Sequence, residues 1–347
     1  MANATHGGAV GGEPARSGRP RRWTHWRRIA ALSGWLLLLA IAVVPIVVDS
    51  RYIVYLGTLL ALQAALATSL NLIIGYAGQF ALSHAAFYGI GAYASALLVR
   101  GAGMGFWASV PVAVMIAVAI AIVIGYPALR YTGGIHFALI TFAFGELLRL
   151  LAANWHDLTG GPQGMQVPYS PEPLLGIDFS TGRGQYLLAA AVLAVSLLVV
   201  TAIRGSRIGR GLTSIREDEV LAASLGIDVT RSKLFAFVVS SALAALAGTA
   251  YAPFMGFISP ELLNAGESVS MVGVLIVGGM GTLSGPIIGT LLFIAIPEIF
   301  RIARLYRLVI LGAVIVLAVL FMPDGIAGLV KRWLGRFGLP RPSAGEG

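Results

Sequence analysis

Ten apolar runs separated by short polar breaks order this 347-residue chain. Seven are long: Ile29–Val48, Tyr52–Ile74, Phe106–Leu129, Ile135–Ala152, Tyr186–Ile203, Leu234–Phe254 and Leu305–Met322. About twenty apolar residues in a helix cross a bilayer's hydrocarbon core, so these read as transmembrane helices. Three shorter runs, Ala85–Val99, Val269–Met280 and Gly285–Pro297, are predicted to be tilted, broken or re-entrant. The run from Ile29 is too long for a signal-peptide core and no small-residue cleavage site follows it, so it reads as a retained first span. The pattern predicts an all-α polytopic membrane protein of about ten spans over residues 29–322. A basic, Gly-rich tail (1–28), expected to be disordered, precedes them, and a second tail (323–347) follows.

One polar island breaks the pattern most sharply. Residues 204–233, RGSRIGRGLTSIREDEVLAASLGIDVTRSK, hold ten of the chain's thirty-nine charged residues. Ser214 and Glu217 have the Ser-x-x-Glu spacing of a capping box, which predicts a helix starting near Ile215. Glu217, Asp218 and Glu219 then lie in its first turn, where they suit the helix dipole, and Gly226 supplies a left-handed stop. Leu221, Ala222 and Leu225 give that helix a narrow apolar face. Two readings stand on composition: a docking helix for another subunit, or a solvated loop at the headgroups.

Composition supports lipid as the solvent. The chain is 57% hydrophobic and 11% charged, against about a quarter charged in an ordinary globular domain. Its net charge of +9 would favour nucleic acid in a soluble protein, but here the basic residues cluster at the ends of apolar runs, where they set orientation. With ten crossings and a cytoplasmic N-terminus, seventeen Lys and Arg fall inside and six outside; Arg149 lies within a span. That count predicts both termini and the island 204–233 inside, and the long Gly- and Pro-rich loop 154–185 outside. Turns, rather than helix, are expected in that loop.

Candidate chemistry is sparse. Asn71, Gln79, Ser83 and His84 are polar residues at membrane depth, amid the glycines and small residues of NLIIGYAGQFALSHAAFYGIGAYASALL. They either line a translocation path or hydrogen-bond neighbouring helices. Glu146 lies three residues from Arg149 and can be neutralised by it; it could also serve a proton-coupled carrier. In GGMGTLSGPIIG, the glycines Gly278, Gly279, Gly281 and Gly285 interrupt a hydrophobic stretch and mark a broken helix or a tight turn. Zero cysteines exclude disulfides and thiolate metal sites, and the five histidines lack paired ligand spacing, so no metal or cofactor is expected. No P-loop, nucleophile elbow or HExxH motif is present, which leaves an enzyme reading without a site.

Together, NLIIGYAGQFALSHAAFYGIGAYASALL, GELLRLLAANWHDLTGGPQG, SRIGRGLTSIREDEVLAASLGIDVTRSKLFAFVVSSALAALAGTAYA, GGMGTLSGPIIG and FMPDGIAGL resemble the permease subunits of branched-chain amino acid ABC importers. The similarity is greatest to the M-type subunit of the Liv system and runs from Tyr52 to about Val330. Urea and short-chain amide permeases share much of this pattern. The resemblance implies a type II ABC importer fold at the bacterial inner membrane, working with a second, H-type permease, two ATPase subunits and a periplasmic binding protein. It implies a coupling helix within 204–233, with Arg216, Glu217, Asp218, Glu219, Ala222, Ala223 and Gly226 as coupling residues. The spacing departs from the simple Glu-Ala-Ala form at Glu219. It also implies an outer face, including Thr159, Gly160, Gly161 and Pro162, that receives the binding protein. The rival expectation is an ion-coupled secondary carrier.

Overall fold

The computed structural model describes residues 50–299 apart from positions 133 and 175, together with residue 312. The expected first and last spans, both tails and the arginines at 301, 304 and 307 lie outside the described residues.

The described chain is mostly helical, as lipid requires: a helix satisfies its backbone donors and acceptors within itself. Helix α1 (Arg51–Asn71) continues through a π turn at Leu72–Tyr76. It is followed by α2 (His84–Ala102), α3 (Phe106–Tyr131) and α4 (Ile135–Asn154). A one-turn helix α5 (His156–Thr159) and a two-residue strand β1 (Met165–Gln166) cross the long loop to α6 (Gly182–Gly205). Two short helices, α7 (Arg207–Glu217) and α8 (Glu219–Ser224), lead into α9 (Val229–Met255). Strand β2 (Phe257–Ile258), α10 (Ala265–Gly278) and α11 (Gly285–Ile299) complete the described chain.

Among the described residues, five stretches are long and apolar enough to cross a membrane: α1 with its π turn, α3, α4, α6 and α9. Helix α2 is unbroken and longer than the apolar run Ala85–Val99, though it is not among the stretches apolar enough to count as spans. Its 19 residues reach roughly 28 Å, because Arg100 and Gly101 prolong the helix beyond its apolar run until Gly103 (φ 62°) ends it. Helix α10, of 14 residues, is too short to cross straight, as expected, and α11 runs to the edge of the described residues.

Burial separates the helices into a centre and a perimeter. The apolar windows of α1 and α9 are 67% and 61% buried, whereas those of α3 and α4 are each 28% buried. Large apolar side chains such as Met115, Val123, Leu139 and Leu147 therefore stand exposed on α3 and α4, where lipid is their solvent. Helices α2 and α9 meet through glycine. A Cβ on Gly91 would overlap the Ala245 carbonyl, and one on Gly248 the Tyr88 carbonyl. Backbones this close give dispersion contact that larger residues would forbid. Phe237 fills the adjoining centre, edge-on to Phe87 (5.5 Å) and Phe137 (5.4 Å).

Connecting segments gather at two ends. At one, Gln79 Nε2 donates to the Gly134 carbonyl (3.2 Å), and the π turn of α1 meets the α10–α11 break and α7. At the other, the Glu172 carboxylate caps α3 through the Phe106 N–H (2.9 Å), while the Trp107 indole donates to the Glu172 carbonyl (2.9 Å). There β1 pairs antiparallel with β2, Met165 opposite Ile258 and Gln166 opposite Phe257. The loop 154–185 thus holds a short helix and a strand where turns alone were expected. Its glycines do make the turns: Gly160 (φ 78°) stops α5, and Gly164 (φ 70°) lets the chain pass the Ile258 carbonyl.

Candidate functional site

The polar island folds as two helices, not one. Ser206 caps α7 by accepting from the Gly209 N–H (3.2 Å). Asp218, extended at φ −155°, breaks the chain and caps α8, its Oδ1 accepting from the Val220 and Leu221 N–H groups (2.9 Å each). The expected capping box at Ser214 and Glu217 is therefore corrected. Ser214 lies inside α7, where its hydroxyl donates to the Arg210 carbonyl (3.1 Å), and Glu217 ends that helix. The physical reason is that Ser206 offers the earlier cap and Asp218, with a shorter reach to its own following N–H groups, takes the later one.

The end of α8 matches the expectation. Gly226 (φ 83°) donates to the Ala223 carbonyl (2.9 Å) and Ile227 to the Ala222 carbonyl (3.2 Å), the two bonds of a Schellman stop. Ala222 is buried and Ala223 exposed. The three consecutive acids have separate tasks. Glu217 is exposed, Asp218 caps α8, and Glu219 pairs with Lys233 at 2.6 Å. Lys233 is buried at the start of α9 and Glu219 is about half exposed, so the pair ties α8 to a central span. What α8 shows to solvent is apolar: Val220 is 80% exposed, Leu221 58% and Leu225 72%.

Beneath this segment, two interrupted helices meet. The Asn71 side chain bridges to the α10–α11 break, its Oδ1 accepting from the Gly281 N–H and its Nδ2 donating to the Thr282 carbonyl, both at 2.8 Å. Gly279 (φ 112°) and Gly281 (φ 73°) give the break its path. Gly278 packs on the Gly285 carbonyl, where a Cβ would not fit. Arg216, from the last turn of α7, donates to the Gly75 carbonyl in the π turn of α1.

The other polar candidates are distributed, not gathered. Gln79 bonds to Gly134, and His84 Nε2 lies 2.7 Å from the Ser69 hydroxyl and 3.2 Å from the Leu66 carbonyl. The buried Ser83 hydroxyl has no hydrogen-bond partner among the described residues. Glu146 sits on the perimeter helix α4, bound by Arg149 Nε at 2.9 Å, and Arg149 also approaches Glu261 at 3.9 Å. At the opposite end, Thr159 donates to the Ala152 (2.6 Å) and Trp155 (2.7 Å) carbonyls. Gly160 and Gly161 are both left-handed, and Pro162 stands in the 3₁₀ turn Gly161–Gln163. In the same loop the Ser180 N–H holds the Asp178 carboxyl below its usual range. Among the described residues, no three His, Asp or Glu side chains converge as a metal site would need.

Sequence reasoning missed Ser206, Lys233 and the inward reach of Arg216. Lys233 carried a signal, being one of only two lysines and standing at the threshold of an apolar run. Arg216 carried none, since its partner is a carbonyl 141 residues away.

A family model described as the permease component of branched-chain amino acid transport systems matches residues 52–319. The high-affinity branched-chain amino acid transport system permease protein LivM of Escherichia coli is 34% identical over 320 residues, covering 85% of this chain and 74% of the relative. LivM of Salmonella typhimurium is 33% identical over the same length, covering 85% and 75%. The permease protein LivH of Escherichia coli is 29% identical over 291 residues, covering 78% of this chain and 92% of the relative. No solved structure matches the chain.

Proposed function

Because this chain belongs to the family of branched-chain amino acid transport permeases, we propose that it forms half of the translocation pore of an ATP-driven importer for hydrophobic amino acids. The observation that carries the reading is the α7–α8 segment. It presents three exposed apolar side chains on a capped helix, as a surface made for a protein partner does. The chain has no phosphate cradle of its own, so ATP is hydrolysed on two partner ATPase subunits that engage α8. Arg216, Glu217, Asp218, Glu219, Ala222, Ala223 and Gly226 form this coupling unit, with Asp218 and Gly226 defining the helix and Val220, Leu221 and Leu225 its contact face.

The pore lies in the bacterial inner membrane, with about ten spans and both termini inside. A second, H-type permease completes it. A periplasmic binding protein delivers the amino acid to the outer loops, where Thr159–Pro162 form a rigid corner. Asn71, Gln79, Ser83 and His84 belong to the path or its supporting shell. Buried, weakly polar groups of this kind fit an amino acid passing through without holding it tightly, and selectivity then rests with the binding protein.

Reconstitution tests the reading. The chain is purified with its co-expressed partners in proteoliposomes, and entry of labelled leucine is followed with and without enclosed ATP. Uptake that needs both ATP and the binding protein is expected. Uptake driven by an ion gradient, without ATPase subunits, would overturn the proposal, and competition by urea or acetamide but not by isoleucine would change its substrate.

A further inference from the structure

The glycines around Arg216 leave a space shaped to its side chain. Gly78 (φ 67°) lies so close that a Cβ there would stand 2.9 Å from Arg216 Cγ. On Gly281, in the other interrupted helix, a Cβ would stand 2.6 Å from Arg216 Nη1. On Gly75 it would stand 2.6 Å from the Gly281 N–H nitrogen and overlap the Asn71 side chain. Two glycines, Gly78 along the stem and Gly281 at the guanidinium, thus clear the room that the Arg216 side chain occupies, and Gly75 lets the two breaks approach each other.

The chemistry of the cradle fits a guanidinium. Helix α1 ends at Tyr76, so its last carbonyls lack helical donors and carry the negative end of the helix dipole. A fixed cation donating to the Gly75 carbonyl answers both needs. No carboxylate lies within ion-pair distance of Arg216 among the described residues, so this contact is not incidental to a salt bridge. Asn71 fastens the same two breaks from below, through Gly281 and Thr282.

We propose that Arg216 is a positioning residue: it carries movement of the α7–α8 segment to the two glycine breaks at Gly75 and Gly281, which close that end of the pathway. This rests on the importer reading above. A push on α8 turns about Asp218, draws the end of α7, and with it the guanidinium, away from Gly75. The breaks, held by that guanidinium and by Asn71, are then free to rearrange.

The test uses the assembled complex in proteoliposomes, with leucine-loaded binding protein outside and ATP within. Leucine imported per ATP hydrolysed is measured for wild type, R216A, R216K, N71A and the R216A/N71A double variant. In R216A the ATPase subunits are expected to co-purify as in wild type, while the ratio falls about tenfold or more, the scale of one charge-assisted hydrogen bond. R216K, which keeps the charge but not the fork, recovers part of the ratio. N71A, buried beyond reach of any soluble partner, lowers it in the same direction, and the double variant is no worse than R216A alone. Loss of the ATPase from R216A would make Arg216 a docking residue and overturn the proposal. So would an unchanged ratio, or losses that multiply in the double variant.

A second readout does not depend on transport. The chain has no cysteine, so S284C places a single thiol in the α10–α11 break. Its reaction with a membrane-impermeant maleimide is expected to be several-fold faster with R216A or R216K than with Arg216 intact, and equal rates would overturn the proposal. Wild type lacking ATP-dependent uptake would instead defeat the importer reading, leaving the labelling comparison to decide whether Arg216 holds the break.

Discussion

Two glycines illustrate how one residue type serves two physical ends. Gly226 has open space around it but a backbone at φ 83°, so its constraint is conformational. Gly226→Ala should therefore cost only about 1 kcal/mol, the strain of a left-handed alanine. Gly226→Pro fixes φ near −65° and deletes the N–H that bonds Ala223, which removes the stop of α8 altogether. That variant is expected to insert in the membrane at the wild-type level while substrate-stimulated ATP hydrolysis of the complex disappears. Persistence of that stimulation would show that α8 does not couple. Gly91 is the opposite case: its backbone is ordinary helix, but the Ala245 carbonyl occupies the place of a side chain. Gly91→Leu should separate α2 from α9 and destabilise the fold by about 1–3 kcal/mol or more, seen as earlier thermal aggregation of the detergent-solubilised protein.

At the scale of the element, the polar island shows what the sequence carries and what it hides. The left-handed stop at Gly226 was legible, because a glycine after an apolar-periodic stretch has few other uses. The start was misplaced because Ser214 and Glu217 satisfy a spacing rule that says nothing of competing caps; Ser206 and Asp218 prevail once α6 has fixed where the segment begins. Tertiary partners were illegible because the bonds that Arg216 gives Gly75 and that Gly281 gives Asn71 join residues 141 and 210 positions apart. The ion pair between Glu219 and Lys233 is a local case that can be measured. Glu219→Gln leaves a buried ammonium without its counter-charge. The half-exposed Glu219 site moderates the loss, to about 1–2 kcal/mol rather than the larger cost of a wholly buried pair. The double reversal, Glu219→Lys with Lys233→Glu, should recover part of it in the same melting assay. If the single substitution is silent, α8 is not anchored to α9 through this pair.

For the whole molecule, hydropathy and charge made a prediction that the contacts support from a different direction. Counting Lys and Arg assigned the segments after α1, α3 and α6 and the α10–α11 break to one side. In the structure these are the segments that touch: Gln79 with Gly134, Arg216 with Gly75, and Asn71 with Thr282. The segments assigned to the other side also meet, through Glu172 at the start of α3 and the β1–β2 ribbon. Which of the two ends faces the cytoplasm follows only from the arginine excess, and a chain without cysteine makes it directly testable. Ser224→Cys on α8 and Gly176→Cys in the loop between α5 and α6 each introduce one thiol, at positions with no helix packed over them. In intact spheroplasts an impermeant maleimide should label Gly176→Cys and spare Ser224→Cys; in inside-out vesicles the pattern should reverse. The opposite result would place α8 beyond the reach of any cytoplasmic ATPase, and coupling through it, together with the inward excess of arginine, would both have to be given up. The perimeter helices give the independent control, because their exposed apolar faces call for lipid or a neighbouring permease around them rather than water: Val123→Cys should resist the aqueous reagent from both sides while the fold is intact.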